Sequence, residues 1–249
     1  QICIETNTLP FEKYLKCRNY NFVLQLLSHN VFRPIYMLSQ KIGVSWYEFS
    51  KLMADCINEK SFKGKLKDLY NDFCRESHDE LFSSKEEAIT FYSKQENYDA
   101  LVKGEIGENL LQKYTSQAIL IYDDIISSIF HVMRNKLKIE YTNELISVLD
   151  SSEKWLKNVY LIKEIYGDNK DHKKDEKYEL TIDFDFPSWL SESHLPLDKF
   201  IKRSTYQIDH DGEKINRLRD ELLSKSVQGH SDKERLAQRL SMRLSLGAE

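Results

Sequence analysis

The chain holds 249 residues, 41% hydrophobic and 31% charged, with a formal net charge of −4. A charge of that sign supplies no basic field for a phosphate backbone, which excludes nucleic acid as the default partner. The longest strongly apolar run, "AILIYDDIISSIF", is interrupted by Asp123 and Asp124 and falls short of the roughly 20 residues a membrane-spanning helix needs, and no charged-then-apolar leader opens the chain, so a soluble cytoplasmic protein is expected.

Eight glycines and four prolines set against 14 tyrosines and 12 phenylalanines are few turn formers and many aromatics. The expected fold class is therefore mainly α, a multi-helix bundle with a small antiparallel β element in the C-terminal third. The opening "QICIETNTLP" alternates like a strand already in progress, placed at residues 2–6. Pro10 then stands at a helix start, and Phe11, Tyr14, Leu15, Phe22, Leu24, Leu26 and Leu27 recur at helical spacing to about residue 29. A second helix, "FRPIYMLSQKIG", stops at Gly43, and a third opens on Ser45 with Glu48 three residues later, a capping-box pattern.

Two further helical stretches run from 61 to about 103, the second opened by Ser84 with Glu87 at the capping-box position. The strongest helical signal follows in "ENLLQKYTSQAILIYDDIISSIFHVMRNKL". At about 100° per residue, Ala118, Ile121, Tyr122, Ile125, Ile126, Ile129, Phe130, Val132 and Met133 fill one half of the wheel. Asp124, Ser128 and His131 fall on the other half at i, i+4 and i+7. An Asp/Ser/His set invites comparison with a catalytic triad, but one helix stacks its side chains in parallel where a triad needs convergence, so a solvated helix face is expected.

A last long helix, "TNELISVLDSSEKWLKNVYLIKEIYG", ends at Gly167, and "DNKDHKKDEK" after it contains no apolar residue. The expected organisation is a helical bundle over 1–167, a charged loop over 168–176, and a small α+β subdomain over 177–249. In "KYELTIDFDF", Tyr178, Leu180, Ile182, Phe184 and Phe186 alternate with polar residues, which predicts one half-buried strand ending at Pro187. A second strand, "STYQIDH", puts Tyr206 and Ile208 on one face. An Asp-Gly turn at 211 and 212 follows, then helix from about Glu213 and an amphipathic piece near 231–244 with Leu236, Leu240 and Leu244. If the two strands pair, Asp183, Asp185 and Asp209 form an acidic patch able to hold a hard cation such as magnesium, against the plainer reading as the polar face of the sheet. His194 and His210 lie near these strands without a third short-spaced ligand.

Cys3, Cys17, Cys56 and Cys74 form no CxxC pair and read as scattered reduced thiols. No P-loop, G-x-G-x-x-G, G-x-S-x-G or H-E-x-x-H occurs, so no catalytic, cofactor-binding or metal-binding residue is assigned from a local motif.

The segment "IETNTLPFEKYLKCRNYNFVLQLLSHNVFRPIYMLSQKIGVSWYEF" resembles the region after the catalytic barrel in cobalamin-binding radical S-adenosylmethionine proteins. The likeness lies in the ETNT element at Glu5–Thr8, in Phe11–Tyr14, and in the G-hydrophobic-S-x-Y-[DE]-F element at Gly43–Phe49, with "ENYDALVKGEIGENLLQKY" further on. It implies an accessory C-terminal domain of such an enzyme, covering the barrel and shaping the substrate cavity, cut from its catalytic and cobalamin domains just before Gln1. It also implies a [4Fe–4S] cluster, S-adenosylmethionine and cobalamin for the parent protein. The CxxxCxxC and D-x-H-x-x-G motifs that hold those groups in the family are not in this sequence, so none of them is expected in this chain. The alternatives are a freestanding helical protein-interaction module and a metal-dependent hydrolase using the aspartates of the 178–211 region.

Overall fold

A computed structural model of the chain describes residues 6–103, 106–107, 109–159 and 176–210, with Glu176, Asp209 and His210 described through their backbone only. The first part is helical: α1 (Phe11–Leu27), α2 (Arg33–Lys41), α3 (Trp46–Asn58), α4 (Lys65–Asp79), α5 (Lys85–Tyr92), α6 (Gln95–Lys103), α7 (Leu110–Leu120), α8 (Tyr122–Asn135) and α9 (Asn143–Val159). Then come β1 (Glu176–Ile182), a short helix α10 (Phe186–Ser191) and β2 (Ser204–His210). The protein is mainly helical with a small two-stranded antiparallel sheet in its C-terminal third. The strand expected at 2–6, the end of the long helix at Gly167, the charged stretch up to 175 and the helices after 211 lie outside the described residues.

The boundary between α2 and α3 shows how local chemistry sets the elements. Gly43 takes the left-handed φ of +78° that a helix stop requires. Its N–H bonds the Gln40 carbonyl and that of Val44 bonds the Ser39 carbonyl at 2.9 Å, which satisfies the last carbonyls of α2. Two residues later Ser45 opens α3 through a full capping box. Its Oγ accepts the Glu48 N–H at 3.2 Å, and its own N–H donates to the Glu48 carboxylate at 3.0 Å. Ser45→Ala is expected to cost about 1 kcal/mol of stability in thermal unfolding.

The core gathers around the second half of α1, which buries Phe22, Val23, Leu26 and Leu27 against α3, α4 and α7. Phe22 stacks on Phe73 at 4.3 Å, and Tyr114 meets Phe73 edge-on at 5.5 Å. Beside this, α8 packs on α9, and α9 in turn packs on β1. In the sheet Leu180 faces Tyr206 and Tyr178 faces Ile208, and the Lys154 ammonium donates to the Thr181 carbonyl at 2.7 Å. The buried apolar residues of the helices and of the sheet region belong to one cluster.

Three elements differ from expectation. The long helix across 108–137 is two helices, α7 and α8, parted at Ile121 (φ −113°, ψ 30°). α7 packs on α1 and α4, while α8 packs chiefly on α9 and also meets α3 and α4. The break also places Asp123 and Asp124 in the first turn of α8, where the helix dipole favours anions. The stretch from 83 to 103 likewise divides, into α5 and α6. Its cap is spread over two serines: Ser84 Oγ accepts the Glu87 N–H, whereas the Glu87 carboxylate turns back to the N–H and hydroxyl of Ser83.

The third difference lies at the C-terminal end of β1. The strand stops at Ile182, and "FDFPSW" folds back as α10. Asp185 caps this helix by accepting the Ser188 N–H at 3.2 Å, with Pro187 in the first turn. Phe184, Phe186 and Trp189 are all fully buried there. The period-two spacing of Phe184 and Phe186 imitates a strand, but a capping aspartate followed by proline is a helix start, and that chemistry decides the conformation.

Candidate functional site

The aspartates singled out as a cation site do not converge. Asp183 stands exposed beyond the strand end, 3.6 Å from the Arg203 guanidinium. Asp185 is buried instead, with its carboxylate held by the Ser188 N–H, the Tyr206 hydroxyl and the Lys202 ammonium at 2.8 Å. Asp209 lies opposite Lys177 at the far end of the sheet, about 20 Å along the strand from Asp183 at ~3.3 Å per residue. The conditional magnesium patch is thus replaced by a helix cap at Asp185, with Asp183 and Asp209 apart from it. Among the described residues no group of three or more His, Cys, Asp or Glu could hold a metal ion.

Burial by itself would raise the Asp185 pKa, but the Lys202, Tyr206 and Ser188 hydrogen bonds outweigh it and bring it down to about 2. The Tyr206 hydroxyl is pushed up to about 12, first by burial and then by Asp185. Both shifts describe one arrangement, a permanent carboxylate accepting from a neutral phenol. Such a pair is poised to hold structure and not to exchange protons near neutrality.

The Asp124, Ser128 and His131 series is structural as well. The Asp124 carboxylate pairs with Lys65 at 3.1 Å, the Ser128 hydroxyl donates to the Asp124 backbone carbonyl at 2.8 Å, and His131 is exposed beside Asn135. His194 is exposed, and its backbone carbonyl accepts from Lys41. His210 is opposite Glu176 in the sheet register. Cys17 is exposed, Cys56 buried and Cys74 half-buried, and all three are free thiols. Burial raises the pKa of Cys56 and of Cys74, so neither is a ready thiolate.

Two surface features remain, and sequence reading found neither. The first is the α5–α6 hairpin, in which neither helix buries a single residue. Ile89, Tyr98, Leu101 and Val102 are 54%, 53%, 39% and 68% exposed on it. The second is a cleft of 360 Å³ between α3 and the α8–α9 connection, lined also by Gly43 and Val44. Helical spacing marks Tyr98, Leu101 and Val102 as one stripe, but the pattern looks the same whether a core or a partner covers it. The cleft joins segments some 80 positions apart, a juxtaposition that no local motif announces.

Comparison with family models, with curated proteins and with solved structures finds no match for the chain. What the fold defines is a class: a helical bundle extended by a small two-stranded antiparallel sheet.

Proposed function

We propose that this chain is a non-catalytic docking domain, the accessory C-terminal region of a cobalamin-dependent radical S-adenosylmethionine enzyme, which covers the open end of the catalytic barrel and shapes its substrate cavity. The observation that carries the docking role is the α5–α6 hairpin. Helices of eight and nine residues are too short to be stable alone in water. An exposed stripe at Tyr98, Leu101 and Val102 is the kind of surface a partner covers. The elements at Glu5–Thr8, Phe11–Tyr14 and Gly43–Phe49 support the choice of partner, through the resemblance they carry. Under this proposal the [4Fe–4S] cluster, S-adenosylmethionine and cobalamin are held by the parent's other domains.

The test expresses this chain and the remainder of its parent reading frame as two polypeptides and follows them by anaerobic size-exclusion chromatography. They should co-elute, with the iron–sulfur absorbance belonging to the remainder, and a Leu101→Asp, Val102→Asp double variant should elute alone while keeping its helical circular dichroism. A reading frame without a CxxxCxxC segment sinks the enzyme assignment. Co-elution that the double variant leaves intact removes the hairpin from the interface, and binding to a partner encoded elsewhere would favour a freestanding interaction module.

A further inference from the structure

We draw no further inference here: the strongest candidate, the cleft between α3 and the α8–α9 connection, is lined by apolar side chains and by charges of both signs, and nothing in the structure shows what covers it.

Discussion

Replacing Phe22 with alanine is expected to lower the free energy of unfolding by about 3–5 kcal/mol, the range seen when a fully buried aromatic is truncated. Phe22 is 0% exposed and sits where α1, α4 and α7 meet. Its ring stacks on Phe73 at 4.3 Å and meets Tyr114 edge-on at 6.3 Å. Phe73 and Tyr114 also contact each other at 5.5 Å, so the two neighbours brace one another and cannot close over the lost ring. The variant loses both the transfer free energy of the ring and the contacts around the cavity it leaves. For a chain of this size that corresponds to a fall of about 10 °C in Tm. Phe22→Leu keeps most of the apolar volume and should cost only about 1 to 1.5 kcal/mol. Urea unfolding followed by circular dichroism separates the two, provided the m-value stays constant. A loss below about 1 kcal/mol in Phe22→Ala would mean that α1 is not the centre of the core.

Much of this core was legible in the sequence because it rests on local rules. The Gly43 stop and the Ser45–Glu48 box are both present as expected, since each is decided within a few residues. The Ala118–Met133 half-wheel did mark buried positions, with Ala118, Ile125, Ile126, Ile129, Phe130, Val132 and Met133 all in the core. What it could not show was the break at Ile121, because periodicity reports which residues are apolar and not which neighbouring helix each half must face. The β1–α10 junction failed for a related reason. Phe184 and Phe186 are buried in either conformation, so the alternation was true of burial and false of backbone. Only the competing helix start at Asp185 and Pro187 distinguishes the two. The acidic patch fell with the strand, since its geometry depended on Asp183 and Asp185 sharing a sheet face. The cleft depends on chain segments meeting across the fold.

The Asp185 cluster should carry the protein's clearest pH signature. Asp185→Ala is expected to cost about 2–4 kcal/mol, because it removes a helix cap worth about 1 kcal/mol and charge-assisted hydrogen bonds worth more. Lys202 is 61% exposed and stays hydrated when its partner goes, which keeps the loss below that of a fully buried pair. Tyr206, packed edge-on against Trp155 at 5.0 Å, loses its acceptor and transmits the change to α9. The folded carboxyl sits at about 2 against an ordinary value of 3.8, and at ~1.4 kcal/mol per pKa unit this contributes about 2 kcal/mol of stability near neutrality. Because the folded value is the lower one, the contribution is complete above 3.8 and is lost as pH falls toward 2. Tyr206 has the opposite sign: its raised value keeps a contribution below pH 10.0 that disappears as pH climbs toward 12. Asp185→Asn preserves a capping oxygen but removes the charge, so its Tm should depend less steeply on pH through the acid window than that of the wild type. Other carboxylates titrate there too, and the difference between the two curves is what isolates Asp185. Parallel curves would show that the carboxylate is not held by Lys202 and Tyr206, and would leave the helix cap as its whole contribution.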